Sequence, residues 1–541
     1  MVSLKSAFAA SLLLGLLIDC NAADERATLI TVLHTNDHHG RFWKSADNEY
    51  GLAARKTLID RIRSDVRAQG GYTLLIDGGD VNTGVPESDT QDAEPDFRGM
   101  SRLGYDAMVV GNHEFDKSAA VLHKQHREWS TFPWLSANIY KDGSRMFEPY
   151  RLFQLGGVKV AVLGLTTNDT AKMLASTKFP GVDFRPPARE AAMLVPMLRR
   201  KADIVIAATH MGHYPNAKRG VNAPGDVELA RSTAGIDLIV GGHSHSLVCM
   251  ARENVRVESY RPGGACAPDR QNGTWIVQAG EWGKFVGRMD LEYSAGELKL
   301  KSYTLIPVNL VRPAESARDA SAQPAPSERI AEDADMLALL RPFQERGAAG
   351  LSVEVGRSDG KFDGDRASVR SRPTNLGVLI TSAMMDITQA DAAIVSSGGI
   401  RDSLPAGTLT YRDLLRAQPF GNHVVVVSMT GTELDAYLRA AAAMTPGSGA
   451  FAQTSGVDVT GGAARQLLVG GRPLDPNKTY RLAINSFVAK GGDGYPDMTG
   501  HPGFFNTGHL DVDVLREFIA RQGVLRTRNF EPHGAIAAGH L

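Results

Sequence analysis

Five short apolar runs, each followed at once by polar residues, are spaced along the first half of the chain. Short runs that are rich in Val and Ile and bounded by Gly are typical of buried parallel strands. Side chains at the carboxyl ends of such strands converge on one crevice. The pattern therefore predicts an α/β domain with a polar site along one edge of its sheet. The runs are Leu29–Leu33, Leu74–Ile76, Ala107–Val110, Ile204–Ala208 and Leu238–Val240.

The polar residues after these runs are of metal-ligand types, with Asp, Asn and His but no Cys. Oxygen and imidazole ligands suit hard-to-borderline divalent ions, and Zn, Mn and Co are all compatible. The Asp80 carboxylate can bridge two ions because it has two oxygens, and paired ions hydrolyse phosphate esters by holding both the attacking and the leaving oxygen. We therefore predict two divalent metal ions in a phosphate-ester hydrolase. The predicted ligands are Asp37, His39, Asp80, Asn112, His210, His243 and His245.

His113 and Asp116 form a second predicted pair beside the metal ligands. His113 is expected at the rim of the site, where a protonated imidazole stabilises charge on a phosphoryl group or protonates the leaving oxygen. Asp116 can fix the tautomer of that ring and keep it charged. The other role open to Asp116 is a helix N-terminal cap, and the two roles are compatible. Four neighbouring residues are interpreted either as structural or as groups that orient ligands without touching metal, namely Asp77, His38, Glu114 and His213.

Length and charge limit the domain count and the classes of partner. A chain of 541 residues is too long for one ordinary core, so two or more domains are expected. The formal net charge is −1, whereas nucleic-acid polymers and anionic membranes bind to basic surfaces. We therefore expect a small anionic substrate, which needs only a local positive site, and no nucleic-acid polymer as partner.

The start of the chain has the pattern of a secretory signal peptide. Leu12–Ile18 forms its apolar stretch, and Ala22 or Ala23 offers a small-residue cleavage site. The stretch is too short to span a bilayer, so we expect a periplasmic protein without stable membrane insertion. The less favoured alternative is a lipoprotein modified at Cys20, because Asp19 stands before it where a small residue is usual.

Two cysteines, Cys249 and Cys266, remain after cleavage of the predicted signal peptide. An oxidising compartment favours their pairing. Closing a loop of this length contributes about 3 kcal/mol in the chain-entropy model. The alternative to this disulfide is two unrelated buried thiols.

Strand-like and helix-like patterns alternate over roughly the first 300 residues, as in a layered α/β domain. Ala188–Arg200 is a predicted helix that begins just after two prolines. Ser316–Ser327 is rich in Ala, Ser and Pro and predicts a linker, and a connecting helix is predicted near Glu328–Gln344. A second α/β domain is expected from about Leu351, with Val424–Val427 as a buried strand.

The polar clusters of the first half resemble those of the calcineurin-like metallophosphoesterases. The segments that carry this resemblance are Thr35-Asn36-Asp37-His38-His39-Gly40, Gly111-Asn112-His113-Glu114-Phe115-Asp116 and Ala208-Thr209-His210-Met211-Gly212-His213-Tyr214. A second set is similar to the bacterial periplasmic 5′-nucleotidase family and narrows the resemblance to that branch. This set is Gly398-Gly399-Ile400-Arg401-Asp402, Gln418-Pro419-Phe420-Gly421-Asn422 and Gly491-Gly492-Asp493-Gly494-Tyr495-Pro496. The likeness covers nearly everything after the signal peptide.

The resemblance implies a secreted two-domain hydrolase that cleaves 5′-nucleotides to nucleoside and phosphate, and UDP-sugars to UMP and sugar 1-phosphate. After a signal peptide at 1–23, a layered α/β metallophosphoesterase domain at 24–315 is joined by a linker and helix at 316–350 to a smaller α/β nucleotidase domain at 351–541. Domain rotation about the linker is implied as well. The alternative is a 2′,3′-cyclic-nucleotide phosphodiesterase/3′-nucleotidase, since the metal clusters do not separate the two activities.

The resemblance also implies roles for single residues of the first domain. One ion is implied at Asp37, His39, Asp80 and His245, and the other at Asp80, Asn112, His210 and His243. His113 and Asp116 correspond to the catalytic pair of the family, and Cys249 and Cys266 to its disulfide. His245 is a departure, because Gln or Asn is associated with this position in similar chains, and an imidazole there favours softer ions.

Substrate-binding residues in the second domain are likewise implied by the resemblance. Aromatic faces hold any base, each stack being worth roughly 1–3 kcal/mol, and arginine forks match phosphate or carboxylate oxygens. Without the resemblance, the two phenylalanines would be interpreted as core and Arg366 and Arg370 as a solvated face. The implied residues are Arg366, Arg370 and Arg401 for anionic groups, Phe420 and Phe487 for stacking, Asp493 for ribose hydroxyls and Asn422 for the base edge.

Overall fold

The computed structural model describes residues 27–173, 179–214, 224–257, 260, 264–310, 329–349, 351–459 and 466–532. The predicted signal peptide, with Cys20, and the predicted linker Ser316–Ser327 lie outside the described residues.

The strands before residue 310 form two large sheets. In chain order these strands are β1 (Thr28–Thr35), β2 (Tyr72–Asp77), β3 (Ala107–Val109), β4 (Trp134–Leu135), β5 (Ile139–Lys141), β6 (Ser144–Arg145), β7 (Tyr150–Leu155), β8 (Val158–Thr166), β9 (Val182–Phe184), β10 (Ile204–His210), β11 (Leu238–Val240), β12 (Met250–Arg252), β13 (Val255–Arg256), β14 (Asp269–Gln271), β15 (Thr274–Val277), β16 (Phe285–Ser294) and β17 (Glu297–Pro307). One sheet has the order β17-β16-β1-β2-β3-β4 and the other β14-β15-β11-β10-β8-β7. Two small sheets, β12-β13 and β6-β5-β9, flank them.

Helices cover the outer faces of both sheets. They are α1 (Leu52–Ala68), α2 (Pro86–Asp89), α3 (Glu94–Leu103), α4 (Ala119–Lys124), α5 (Thr170–Met173), α6 (Pro187–Leu198) and α7 (Asp226–Ser232), with a 3₁₀ turn at His113–Phe115 and a π turn at Gln125–Trp129. The predicted helix Ala188–Arg200 is thereby confirmed within two residues at each end. Its early start follows from the proline at its first position, whose fixed φ suits a helix N-terminus.

Alternate residues of the central strands point to different cores. Ile30 and Val32 of β1 pack between the two sheets, against Ile206 of β10, while Leu33 packs with α1 on the outer face. The same alternation holds in β10, whose Val205 joins the outer core around α6 and α7. The strands are hydrophobic on both faces because each sheet is covered on both faces, which gives four layers.

All five predicted strands are present, and their pairing brings their ends together. β1 pairs parallel to β2 with Thr35 opposite Asp77, and β10 pairs parallel to β11 with Ala208 opposite Val240. The five strands are divided between the two sheets, so the polar site lies where the edges of two sheets meet.

A connecting helix, α8 (Ala334–Ala348), follows the first domain. Sequence analysis predicted it near Glu328–Gln344, several residues too early. Its N-terminus is capped by Asp333, whose carboxylate accepts a hydrogen bond from the backbone N–H of Met336. Ile330 lies before the helix because Asn309 pairs with its backbone N–H and carbonyl, at 2.8 and 2.9 Å.

The remaining elements build a second, smaller α/β unit. Its strands are β18 (Glu354–Ser358), β19 (Ala392–Ser396), β20 (Gly407–Thr410), β21 (His423–Thr430), β22 (Ala452–Ser455), β23 (Val457–Val459), β24 (Leu467–Val469), β25 (Arg472–Pro473), β26 (Thr479–Asn485), β27 (Phe504–Leu510) and β28 (Val524–Leu525). Its helices are α9 (Arg366–Val369), α10 (Asn375–Thr388), α11 (Tyr411–Ala417), α12 (Gly431–Ala442), α13 (Ser486–Ala489) and α14 (Asp511–Gln522), with 3₁₀ turns at Ser397–Gly399, Gly492–Gly494 and Thr527–Phe530.

The central sheet of this unit has the order β22-β19-β26-β21-β27. Val395 faces the core beneath α10 and α14, and Ile394 faces the core beneath α12, so helices cover both sides. The predicted strand Val424–Val427 lies within β21. Two three-stranded sheets, β20-β18-β28 and β23-β24-β25, complete the unit. The predicted α/β fold is confirmed in both halves, while the boundaries at 24–315, 316–350 and 351–541 stay predictions.

Cys249 and Cys266 form a disulfide, with their Cα atoms 5.0 Å apart. Cys249 is buried and belongs to the core between the two large sheets, and Cys266 packs against that core. The predicted pairing is therefore present, and the alternative of two unrelated thiols is wrong.

Candidate active site

A cavity of about 550 Å³ lies between the two α/β units. Its walls combine residues from the strand ends of the first unit with residues from the Gly-rich turns of the second. Four of the predicted metal ligands, Asp80, Asn112, His243 and His245, therefore line the same cavity as the predicted substrate-binding residues.

A first group of ligand atoms comes from Asp37, His39 and His245. The Nε2 atom of His245 lies 3.2 Å from Oδ1 of Asp37 and 3.2 Å from Nε2 of His39. All three side chains are buried or nearly so, with His245 the most exposed at 8% of its side chain.

A second group comes from Asp80, His210 and His243, joined by Asn112. The Nε2 atom of His210 lies 2.9 Å from Oδ2 of Asp80 and 3.1 Å from Oδ1 of Asn112. The Nδ1 atom of His243 lies 2.9 Å from that same amide oxygen and 3.3 Å from Nε2 of His210. The seven predicted ligands are thus brought together in two adjoining groups.

The spacing of these atoms fits metal ions. Ligand atoms around a tetrahedral ion with bonds of ~2.0–2.1 Å lie about 3.4 Å apart, and the observed separations are close to that value. Two imidazole nitrogens that face each other, as in His39 and His245, share no hydrogen atom when both are unprotonated. A cation between them resolves that contact. The carboxylates also favour positive charge: burial lowers the pKa of His210, but Asp80 outweighs it and raises the pKa to about 10.

The backbone at the ligands is unusual. Five of the seven have positive φ, between 50° and 79°, a region that non-Gly residues seldom adopt and that concentrates at functional sites. They are Asp37, His39, Asp80, His243 and His245. Gly111 is required for the close approach of Asp80, since a Cβ atom at Gly111 would lie 2.2 Å from the Asp80 Oδ1 atom.

Neighbouring groups orient the ligands. His210 donates its Nδ1–H to the Gly78 carbonyl at 2.7 Å, and His39 donates its Nδ1–H to the Thr83 carbonyl at 2.8 Å. The carboxylate of Glu114 accepts hydrogen bonds from the backbone N–H groups of Asp80 and Val81, at 3.1 and 2.8 Å, and from that of Gly111, next to Asn112, at 2.7 Å. These partners fix which ring nitrogen of each histidine faces the site.

His113 lies at the rim, as predicted, with its Nδ1 atom 2.6 Å from Oδ2 of Asp116. Burial by itself lowers the pKa of His113, but the carboxylates of Asp116 and Asp80 outweigh it and raise the pKa above its usual value. The helix that follows is capped by Ser118, so the alternative role of Asp116 as an N-terminal cap is wrong. The geometry favours a protonated imidazole that faces the cavity.

Three arginines face the metal groups from the second unit, namely Arg366, Arg370 and Arg401. Within the described ranges, none of them makes a salt bridge with a carboxylate, and the Nε atom of Arg370 is buried without a hydrogen-bond partner. Burial, together with its two arginine neighbours, holds the pKa of Arg370 well below its usual range. Burial also lowers the pKa of Arg401, to about 10. Clustered guanidinium groups of this kind suit an anionic ligand.

Phe420 and Phe487 line the same cavity, and both are half-buried. The Phe420 ring belongs to no core cluster; it stacks on His113 at 5.7 Å between ring centroids and lies beneath the Arg401 guanidinium at 5.5 Å. Phe487 packs at the margin of the core beneath α12. The core interpretation is therefore wrong for Phe420 and only partly right for Phe487.

Asp493 and Asn422 complete the lining on this side. Asp493 has a φ of 56° within the Gly492–Gly494 turn, and burial raises its pKa. Asn422 accepts a 3.4 Å hydrogen bond from Ser486 through its side-chain oxygen. Both side chains offer hydrogen-bonding groups close to the two aromatic rings.

Two family models match the chain, the calcineurin-like phosphoesterase over residues 30–247 and the 5′-nucleotidase C-terminal domain over residues 354–501. A 5′-nucleotidase of Vibrio cholerae is 52% identical over 515 residues, which cover 94% of this chain and 93% of the relative. The chain belongs to the 5′-nucleotidase family. Protein UshA of Yersinia enterocolitica is 54% identical over 94% of both chains. The crystal structure of a 5′-nucleotidase precursor from Thermus thermophilus has a TM-score of 0.76 at 29% identity, over 94% of this chain and 99% of the other.

Membership of the 5′-nucleotidase family confirms the predicted class of a metal-dependent hydrolase that uses divalent metal. Among the helices in the described ranges, none has both the length and the apolar character needed to cross a bilayer.

The residues that the sequence placed beside the predicted ligands have hydrogen-bond partners in the structure. His38 pairs with Asp96 at 2.8 Å, His213 pairs with Asp269 at 2.8 Å, and Asp77 accepts from Thr35 at 2.6 Å. Neither His38 nor His213 lines the cavity, and each is paired with a buried carboxylate instead.

Sequence analysis missed two residues beside the site. Tyr214 lines the cavity and its ring fills the space beside Gly212 and Gly225. Glu281 contacts His245 from the turn after β15. Both had a signal in the sequence. Tyr214 ends the polar cluster that begins at Thr209, and Glu281 follows another short apolar run, Trp275–Val277.

Proposed function

We propose that this protein is a periplasmic hydrolase with two divalent metal ions, Zn, Mn or Co, that cleaves 5′-nucleotides to nucleoside and phosphate and UDP-sugars to UMP and sugar 1-phosphate. The observation that carries the proposal is the shared cavity, whose walls hold members of both metal-ligand groups together with three arginines and two aromatic rings. Its volume of about 550 Å³ lies within the roughly 300–1,000 Å³ typical of small-molecule sites. The proposed domains are a metallophosphoesterase domain at 24–315 and a substrate-binding domain at 351–541.

Two ions are proposed because the ligand atoms form two adjoining groups. One ion would be held by Asp37, His39 and His245. The other would be held by Asn112, His210 and His243. Asp80 would be shared by both ions. The chemistry that such ions supply is Lewis-acid stabilisation of phosphoryl oxygens and activation of water for attack.

The arginines of the second domain are proposed to bind the phosphate groups. Their guanidinium groups lie near one another and make no salt bridge within the described ranges, so an anion in the cavity would offset their mutual repulsion. Planar guanidinium forks also bind phosphate oxygens in pairs, which orients the phosphoryl group.

His113 is proposed to act on the phosphoryl group during transfer. Its Nδ1–H is donated to Asp116, so Nε2 is the atom available to the cavity, and it lies 3.9 Å from the nearer oxygen of Asp80. A protonated Nε2–H at this rim can stabilise developing charge on the phosphoryl oxygens or deliver its proton to the leaving oxygen.

The nucleoside is proposed to lie between Phe420 and Phe487. A base stacked between two rings gains roughly 1–3 kcal/mol per stack without regard to its identity. Asp493 can accept hydrogen bonds from ribose hydroxyls, and the Asn422 amide can pair with the base edge. This arrangement suits several nucleotides and both the monophosphate and the diphosphate-sugar substrates.

Both proposed reactions break one P–O bond by attack of water on phosphorus. The leaving group is the nucleoside 5′-hydroxyl in one reaction and a phosphomonoester in the other. One site can therefore serve both, provided that it holds the nucleoside firmly and leaves room beyond the phosphates.

The test is turnover by protein stripped of metal with a chelator and then supplied with Mn, Co or Zn. We expect phosphate from AMP and UMP from UDP-glucose to appear only after metal is restored. An Asp80→Asn variant should stay inactive with every ion, which excludes a contaminating phosphatase. If the protein cleaves 2′,3′-cyclic AMP but neither AMP nor UDP-glucose, the alternative cyclic phosphodiesterase/3′-nucleotidase is favoured and the proposed substrates are wrong.

A further inference from the structure

The imidazole of His245 meets different partners at its two nitrogens. Its Nε2 atom faces Asp37 and His39, each at 3.2 Å, on the side where a metal ion would be held. Its Nδ1 atom points the other way, to Oε2 of Glu281 at 2.5 Å and to Nη1 of Arg366 at 3.0 Å.

Metal ligation through Nε2 would place the ring proton on Nδ1. A neutral imidazole that ligates through Nε2 carries its hydrogen on Nδ1, and that hydrogen needs an acceptor. Arg366 has only N–H donors and cannot accept it, whereas the carboxylate of Glu281 can. The Nδ1–H of His245 is therefore donated to Glu281.

The turn that carries Glu281 is itself fixed to the site. Lys284 donates to the other oxygen of Glu281 at 3.0 Å, and the backbone N–H of Trp282 donates to the carbonyl of Asp37 at 2.7 Å. The Trp282 ring is held between Arg41 at 4.2 Å and Lys284 at 3.9 Å. One short turn thus positions two residues of the first ligand group, His245 by a side chain and Asp37 by a backbone contact.

Among the described residues, the other candidate histidine ligands have no carboxylate on the side away from the ligand group. His39 and His210 donate to the neutral carbonyls of Thr83 and Gly78. An ionised carboxylate orients an imidazole and also raises its basicity as a ligand. Glu281 therefore acts on one of the two ligand groups and not on the other.

We propose that Glu281 is a positioning residue that strengthens metal binding selectively at the group formed by Asp37, His39 and His245. The inference rests on the proposed function, because it presupposes that both ligand groups hold metal. Removal of the charge while the shape is kept should weaken one binding step by about 10–100-fold, the usual effect of losing a partner that orients a ligand.

The experiment compares Glu281→Gln with wild type. Each protein is stripped of metal with a chelator and titrated with Zn in a calorimeter. The metal content of each protein is also measured after dialysis against a weak chelator. Wild type should bind two ions. Glu281→Gln should keep one ion at wild-type affinity and bind the other about 10–100-fold more weakly. Glu281→Asp keeps the charge but moves the oxygens away from Nδ1, and should show a smaller loss in the same step.

The matched control is Asp269→Asn, which removes a carboxylate from the buried His213 away from the cavity and should leave both affinities unchanged. Two ions bound at wild-type affinity by Glu281→Gln would overturn the inference, and so would equal weakening of both steps or the same loss in Asp269→Asn. If Glu281→Gln does not fold, an unchanged affinity in Glu281→Asp overturns it. A wild-type protein that binds fewer than two ions would instead contradict the proposed function.

Discussion

The ring of His113 stacks on the ring of Phe420 across the boundary between the two domains, with centroids 5.7 Å apart and planes inclined by 15°. One residue belongs to a turn beside the metal ligands and the other to the surface that faces them from the second domain. The proposed proton donor and the proposed base-stacking residue therefore touch, so chemistry and nucleoside binding meet at a single contact.

Replacement of His113 by alanine should lower kcat for AMP by about 10²–10⁴-fold, the usual contribution of a positioned acid or base. Metal content should stay at the wild-type value, because His113 is proposed to act on the phosphoryl group and not as a ligand. Phosphate release and metal analysis of the purified variant check both statements. Loss of bound metal would show that the assigned role is wrong.

Replacement of Phe420 by alanine should raise KM for AMP by about 5–150-fold, which corresponds to one stack of roughly 1–3 kcal/mol. Ribose 5-phosphate shares the sugar and phosphate of AMP but has no base, so its kcat/KM should change much less. Steady-state kinetics with both substrates make the comparison. Equal losses on the two substrates would mean that Phe420 acts through His113 and not on the base.

The free energy of unfolding should decrease as the pH is lowered, and His34 should account for part of this decrease. Burial lowers the pKa of His34 to about 3, and neither ring nitrogen has a hydrogen-bond partner among the described residues. The unfolded chain takes up a proton near pH 6.5 that the folded chain does not accept, so stability is lost as pH falls from about 6.5 towards 3, by at most about 1.4 kcal/mol per pH unit.

A His34→Leu variant should show a shallower loss over this pH range than wild type, since leucine does not titrate. Urea unfolding at pH 7, 6, 5 and 4 measures the difference between the two proteins at each pH. A difference that does not change with pH would contradict the assignment.

The disulfide should stabilise the first domain. It links residues 17 apart in sequence, and closing a loop of that size contributes about 3 kcal/mol in the chain-entropy model. The Cys249→Ala/Cys266→Ala variant should unfold at lower urea concentration than wild type. Wild type treated with a reductant should match the variant, and an unchanged midpoint in both would show that the bond adds no stability.

The sequence identified the strands well because the signal is local. Each run from Leu29–Leu33 to Leu238–Val240 is buried on both faces, and burial on both faces leaves a continuous apolar stretch in the sequence. The start of α8 was harder to predict. Ile330 continues the apolar stripe of that helix in sequence, but Asn309, 21 residues earlier, holds its backbone outside the helix.

The sequence by itself determined the residue types at the ends of five strands, and from them the α/β class, the predicted metal-ligand set and the resemblance to the family. Only the tertiary structure decided that two separate sheets meet at the site and that Glu281 holds the far side of the His245 ring. The physical reason is sequence distance. The signal for a strand lies in a few adjacent residues. The contact between His245 and Asp37, in contrast, joins residues more than 200 apart in sequence, and it forms only when the two sheets pack through their shared core.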